Sequence, residues 1–235
     1  MLGILLPSVA LLPGLTLADS LVDNTGAVPI PGFSSSYTLK ASNVPFSITA
    51  ERTLKKMKNG DWQMRIEAGN WLGTIRETTL FNWQECLPQP TYYGYHRRGL
   101  GQSRSSDLHF DREQQMAVLY RNKDQVRSFE ISDESTDILS VPLALQCELS
   151  RNQNSFSLEV ASERRLQQYQ YQRMPEERLR TPLGRLDTIP IIMQREEDSD
   201  RRSIMWFAPS LDYTLVKMVQ EDDGEKIELL INKYK

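Results

Sequence analysis

From Phe33 onward, apolar and polar residues alternate in short runs broken by turn dipeptides, the period-two pattern of strands with one buried face. Asn59-Gly60 separates the run Phe46 to Met57 from Trp62 to Glu67, and Asp223-Gly224 separates Tyr213 to Gln220 from Ile227 to Ile231. Each dipeptide supplies the positive φ angles of a two-residue hairpin turn. Gly184 after Pro182, and the polar run Glu196 to Arg202, punctuate the strands between them. One segment breaks the alternation. Val141 to Leu149 reads as a helix with Ser140 as its N-cap and Pro142 in the first turn, where a missing N–H costs little. Leu145 and Leu149 share one helical face suited to lie on a sheet, and Leu143 and Cys147 form the adjacent row. The predicted architecture is mainly β: a single antiparallel, meandering, strongly curved sheet or partly open barrel with one short helix packed on it.

The first 18 residues depart from this pattern. They carry no charged side chain, and the apolar stretch Leu2 to Leu17 leads into Thr16-Leu17-Ala18 before Asp19, the form of a signal peptide and its cleavage site. No Lys or Arg precedes the apolar run, Pro7 and Pro13 interrupt it, and it falls short of the ~20 residues a membrane-spanning helix needs. The expected organisation is a signal peptide over 1–18, a flexible segment over 19–32 and a single β-rich domain over 33–235. A chain so processed is expected in the periplasm of a Gram-negative bacterium, soluble rather than membrane-spanning. Cys86 and Cys147 are the only cysteines. In an oxidising compartment such a pair favours a disulfide over two buried free thiols, and its spacing gives no redox or haem motif.

Charge narrows the partners. With 28 Lys and Arg against 31 Asp and Glu, the net charge is −3, leaving no basic excess to neutralise nucleic-acid phosphates. His96 and His109 are the only histidines and belong to no dense cluster of metal-ligating spacing, so no metal is expected. Gly99-Leu100-Gly101 begins like a phosphate loop, but Arg104 stands at the third glycine position and no helix pattern follows. It reads as a hairpin tip. The acidic run at Glu196-Glu197-Asp198-Ser199-Asp200 lacks the glycine and distal acid of a calcium loop and reads as a solvated connection. No serine sits in a nucleophile elbow, and no catalytic residue or cofactor site is assigned. Tyrosines are more suggestive. Tyr92, Tyr93 and Tyr95 precede Arg97, and Tyr169 and Tyr171 alternate with glutamines, so that the last two share a face. These six residues are the candidate ligand or docking face, because a tyrosine ring offers apolar area and a hydroxyl together. Ordinary sheet packing is the competing reading.

Two motifs go further: Thr181-Pro182-Leu183-Gly184-Arg185-Leu186-Asp187-Thr188, and Met205-Trp206-Phe207-Ala208-Pro209-Ser210-Leu211-Asp212-Tyr213. With Pro90-Thr91-Tyr92, Tyr95, Phe110-Asp111, Asp137-Ile138-Leu139-Ser140 and Asp223-Gly224 in order, the chain resembles the bacterial domain of unknown function 3108 family over most of its length. The resemblance implies an exported, sheet-dominated protein without an established activity, and gives no catalytic residues. Physically the motifs read as structure: Pro182 and Gly184 shape a tight strand entry, while Trp206 and Tyr213 bracket a turn at Ala208-Pro209 with large apolar surfaces for the core. The functional expectation is a non-catalytic envelope protein that takes a lipid-like ligand in the concavity of its sheet. The alternative is an envelope scaffold that docks a protein through an exposed sheet face or edge, and a third reading is a hydrolase of an envelope polymer.

Overall fold

The computed structural model describes residues 29–235 except Val44, Leu72, Leu100, Gly101, residues 195–201 and Asp223. The expected signal peptide lies outside the described residues, as do residues 19–28, the Leu100-Gly101 tip, the acidic run and the first residue of the Asp223-Gly224 turn.

Among the described residues the alternation resolves into sixteen strands and one α-helix. The strands are β1 (Phe33–Ala41), β2 (Ile48–Lys56), β3 (Trp62–Asn70), β4 (Gly73–Gln84), β5 (Leu87–Gly99), β6 (Gln102–Asp111), β7 (Met116–Arg121), β8 (Asp124–Glu130) and β9 (Ser135–Asp137). After helix α1 (Val141–Ser150) come β10 (Ser155–Ala161), β11 (Leu166–Arg173), β12 (Glu177–Thr181), β13 (Gly184–Met193), β14 (Arg202–Ala208), β15 (Thr214–Asp222) and β16 (Glu225–Tyr234). All join one sheet in the order β8-β7-β6-β5-β4-β3-β2-β1-β16-β15-β14-β13-β11-β10-β9, with β12 paired to β13 off this path. Every pairing is antiparallel except β9 with β10, which is parallel. The last strand closes beside the first: Ser34 and Lys235 exchange two backbone hydrogen bonds of 2.9 Å.

The ladder does not close, yet its two edges are neighbours. Only Ile131–Glu134 join the edge strand β8 to the opposite edge strand β9, and that length of chain reaches at most about 18 Å. Side chains bridge the seam. Arg104 Nη2 donates to Glu163 Oε2 at 2.5 Å and Ser106 Oγ to the same oxygen at 2.9 Å, while Arg127 Nη1 donates to the Arg164 carbonyl. Arg112 fixes the connector by donating to the carbonyls of Ser132 (2.7 Å), Ser135 (2.8 Å) and Pro90 (3.2 Å). Bulges at Ser36/Tyr37, Leu80/Phe81, Leu119/Tyr120 and Trp206/Phe207 supply local bending.

Helix α1 follows the connector and packs on β5, β10 and β15. Its two apolar rows divide as the sequence pattern predicts. Leu143 and Cys147 join the core of β2 to β7, whereas Val141, Leu145 and Leu149 join that of β10 to β15. Ser140 stands at the N-cap position, but its hydroxyl does not cap the helix. It donates instead to Asp137 Oδ2 at 2.8 Å, and Asp137 Oδ1 accepts the Leu139 and Ser140 N–H groups at 2.8 and 3.0 Å. Asp137 thus fixes the turn that leads into the helix, while the N–H groups of Leu143 and Ala144 in its first turn are met by the Ser140 carbonyl at 2.9 and 3.2 Å. Thr79 Oγ1 on β4 adds a 2.6 Å bond to the same group, pinning the helix start to the sheet.

Asn59-Gly60 also departs from expectation. The pair lies within the longer connection Met57–Asp61, and only Gly60 has positive φ, at 97°. Asn59 keeps ordinary φ because its side chain bonds the Asp61 backbone and carboxylate, which opens the turn. The Thr181-Pro182-Leu183-Gly184 motif is a tight hairpin turn: Thr181 pairs with Gly184, whose φ is 107°, and Thr181 Oγ1 bonds across it. Pro209–Leu211 forms one 3-10 turn, followed by left-handed Asp212 and Tyr213. Gln146 of α1 donates to the Asp212 carbonyl at 2.9 Å, so this motif helps seat the helix. Trp206 is buried on β14, donates from its indole to Glu177 and lies 5.1 Å beneath the Lys217 ammonium.

Cys86, in the β4–β5 turn, is disulfide-bonded to Cys147 of α1 with Cα atoms 5.4 Å apart, 61 residues apart in sequence. Closing a loop of this length stabilises the fold by about 4 kcal/mol in the chain-entropy treatment. The double variant Cys86→Ala/Cys147→Ala is expected to lose most of that stability in urea unfolding monitored by circular dichroism. A loss below about 1 kcal/mol would show that the helix is seated without its staple.

Candidate functional site

Register decides what meets inside the sheet. Residues paired across antiparallel strands share a face, and the pairings Tyr234–Ser35–Arg52–Ile66–Glu77–Tyr95 form one row across β16, β1, β2, β3, β4 and β5. The adjacent row is Phe33–Leu54–Met64–Thr79–Tyr93–Leu108, which is apolar apart from Thr79 and the Tyr93 hydroxyl. On β2 the inward set is therefore Ala50, Arg52 and Leu54, which puts a guanidinium in phase with the core.

This row forms one wall of an interior cavity of about 190 Å³. Arg52, Ile66 and Glu77 line that wall, and Met193, Met205, Leu215, Met218 and Leu229 line the opposite one. Ile138 and Leu139, which lead into α1, and Val141 and Pro142 of its first turn roof it, and Tyr171 completes the lining with Ser203 and Gln220. A second, more polar recess of about 320 Å³ shares Ile138 with it and lies at the seam between Arg104, Arg121, Arg164, Glu163, Tyr93, Tyr169 and Asp222.

Arg52 is 1% exposed. Its guanidinium stacks on the Phe33 ring at 5.0 Å, and neither Nη1 nor Nη2 has a hydrogen-bond acceptor among the described residues. Burial holds its pKa below the usual arginine value, an effect opposed by the Tyr37 phenol, both through its charge and as a side-chain hydrogen-bonding neighbour, and then by Tyr234. An arginine stays charged even so. The Tyr37 hydroxyl is itself committed, donating to the Leu215 carbonyl at 2.8 Å and accepting from Ser35.

Glu77 is half-buried in the same cavity and accepts a 2.9 Å hydrogen bond from Tyr93 Oη. Burial raises its pKa, the charges of Asp137 and Glu163 add to the rise, and the Tyr93 bond opposes it. Asp137, fully buried behind it, is also raised, first by burial, with its four hydrogen bonds pulling the other way.

The six tyrosine and arginine candidates do not form one surface. Tyr93, Tyr95, Tyr169 and Tyr171 point to the interior side, Tyr171 into the apolar cavity and Tyr93 and Tyr169 into the polar recess. Tyr92 falls on the opposite face because adjacent strand residues alternate. There it donates to Asp107 at 2.6 Å, lies 3.3 Å from His96 and meets the His109 ring edge-on. The Asp107 carboxylate and burial both raise the Tyr92 pKa, burial foremost. Gly94 leaves room for this ring, since a Cβ there would fall 2.1 Å from Tyr92 Oη. Arg97 is exposed near the end of β5. Arg52 and Glu77 are the residues a search for motifs passes over. Their signal is a charged residue at an inward position of an alternating strand. Among the described residues no three His, Cys, Asp or Glu side chains converge as a metal site.

A family model described as protein of unknown function (DUF3108) matches residues 38–230. A solved β-barrel-like protein of the DUF1849 domain from Brucella abortus shares the fold, with a TM-score of 0.59 over 89% of this chain and 99% of that one at 7% identity. A putative outer membrane lipoprotein-sorting protein domain from Vibrio parahaemolyticus aligns over 87% of this chain and 84% of its own at 8% identity, with a TM-score of 0.21. The MucA/MucB complex of Pseudomonas aeruginosa gives 0.17 at 10% identity, covering 86% of this chain and 88% of that one. Scores this low establish no common fold. No curated protein matches the chain.

Because the folded-state pKa of Glu77 is raised, the folded chain holds more protons than the unfolded one between the ordinary value near 4.5 and the raised value. Stability from this group is therefore lost as pH rises through that window. Glu77→Gln is expected to remove the loss, so that the melting-temperature difference, variant minus parent, increases between pH 4 and pH 7. A difference independent of pH would contradict the assignment.

Proposed function

We propose, for a chain that belongs to the DUF3108 family and takes no assigned activity from it, that this is a non-catalytic binding protein of the bacterial envelope which holds an apolar or amphiphilic ligand inside its curved sheet. The observation that carries the reading is the apolar cavity between the concave sheet face and the first turn of α1. At about 190 Å³ it exceeds the ~150 Å³ that accepts a benzene-sized group in an apolar core and falls short of the ~300 Å³ at which drug-sized sites begin. A short alkyl chain or a single ring is the group that fits. Met193, Met205 and Met218 make the wall adaptable, since unbranched thioether side chains repack around different shapes. The polar recess that shares Ile138 gives an amphiphile a second, wetter compartment at the seam.

The envelope assignment rests on the signal-peptide reading of residues 1–18 and on the Cys86–Cys147 disulfide, which suits an oxidising compartment. Absence of catalysis is supported by the lining itself. Its titratable groups are Arg52, Glu77 and Tyr171, with no histidine or cysteine to activate Ser203.

A specific observation favours a second reading, docking of an envelope protein. Trp71, at the β3–β4 turn, is 90% exposed, and Arg97 and Arg98 are exposed on the neighbouring β5. Crosslinking in cells from a photoreactive residue at position 71 separates the two, because a single protein adduct lost on Arg97→Glu would favour docking.

Native mass spectrometry with a panel of single-chain amphiphiles is expected to give one-to-one adducts with the parent. Met205→Trp, which fills the cavity at an overpacking cost of about 1–3 kcal/mol, is expected to abolish them while remaining folded. A clean unliganded mass across the panel would overturn the reading.

A further inference from the structure

We infer that Arg52 is an oxyanion subsite: it receives the negatively charged head of a single-chain amphiphile whose tail lies among Met193, Met205 and Met218. The inference deepens the proposed binding function and rests on it. Four observations combine. Arg52 lines the apolar cavity, it is 1% exposed, its Nη1 and Nη2 meet no protein acceptor among the described residues, and its guanidinium carbon lies 5.0 Å over the Phe33 ring.

A buried arginine kept only for structure would be expected to spend its donors on carbonyls or a carboxylate, since an unpaired buried charge is strongly unfavourable. Half-buried Arg112 does so through Nη1 and Nη2, with three carbonyls bound, and leaves only its Nε without a partner among the described residues. Arg52 does not, although it has a carboxyl in its own row. Glu77 stands two strands away with Ile66 between them, about 10 Å along the sheet, and its Oε2 is taken by Tyr93. The strand spacing thus keeps the internal acid from neutralising the internal base. Over Phe33, and with only the Tyr37 phenol as a polar neighbour already committed to the Leu215 carbonyl, the guanidinium meets no carbonyl or carboxylate with its two terminal nitrogens, the fork that binds a carboxylate or phosphate through two parallel bonds. Arg52 and the three methionines line one cavity of about 190 Å³, a volume that matches a short chain capped by an oxyanion.

The test is calorimetric titration at neutral pH with octanoate, octyl phosphate, 1-octanol and octylammonium, using the parent, Arg52→Met and Arg52→Lys. The parent is expected to bind octanoate or octyl phosphate at least tenfold more tightly than 1-octanol, and octylammonium more weakly than either. Preference for octanoate identifies a fatty-acid-type head, and preference for octyl phosphate a phospholipid-type head. Arg52→Met should lower oxyanion affinity to that of 1-octanol, leave 1-octanol within about twofold, and melt at or above the parent temperature, because an orphan charge has been replaced by an apolar side chain. Arg52→Lys should retain part of the preference. The Arg52 Nε–H resonance, assigned by its loss in Arg52→Lys, should shift with octanoate and not with 1-octanol, and this decides the matter should Arg52→Met fail to fold. Oxyanions binding no more tightly than 1-octanol, or an unmoved Arg52 resonance, would overturn the subsite while leaving the cavity reading intact. Failure of all four compounds to bind would overturn the cavity reading and the subsite with it.

Discussion

The segment Ile131–Ser140 sets the geometry of the whole molecule. It takes the chain from one edge of a sixteen-stranded ladder to the other in four residues and then turns at once into the helix. A flat or gently twisted sheet could not satisfy that connection, because its edges would stand many strand spacings apart. The sheet must therefore curl until β8 and β9 nearly meet. Buried groups of the segment then fasten it on every side: Asp137 to Thr79 and the helix start, Thr136 to the Pro88 carbonyl, and the connector carbonyls to Arg112.

Curling creates an interior, and the helix divides it. One side of α1 fills the core against β2 to β7 and the other fills it against β10 to β15, so packing is complete along most of the helix. At its first turn the two cores part around the cavity, and there the sheet presents the charged positions Arg52 and Glu77 instead of further aliphatic groups. Leu54 and Met64, one row away, show what these strands place inward where they only pack. Arg52 and Glu77 carry charge where well-packed hydrocarbon would be expected to be at least as stable.

Much of this architecture was legible in the sequence. Pro142 and the spacing of Leu145 and Leu149 mark α1 to within a residue at its C-terminal end, and Trp62 to Glu67 falls inside β3. Cys86 and Cys147 are joined as their number and the expected compartment suggest. Long-range consequences were harder to read. Nothing local at Ile131 says that the next strand lies on the far edge, and the parallel pairing of β9 follows from that jump. The tyrosines illustrate the same limit. Tyr92 and Tyr93 are neighbours in sequence but lie on opposite faces, so a cluster of letters becomes two environments. Arg52 was visible only as a parity violation between Ala50 and Leu54, and that Glu77 fails to neutralise it depends on Ile66 in the strand between them.

A ligand held beneath the first turn of α1 by one charged end must lie against the methionines of the cavity wall. Methyl-labelled methionine NMR reports on it most directly, because Met193, Met205 and Met218 line the cavity while Met174 is 40% exposed outside it. Titration with octanoate should move the methyl resonances of the three lining methionines together, with one saturating curve, and leave Met174 unchanged. Shifts confined to Met174, or no saturable shift at the three lining methyls, would contradict the account.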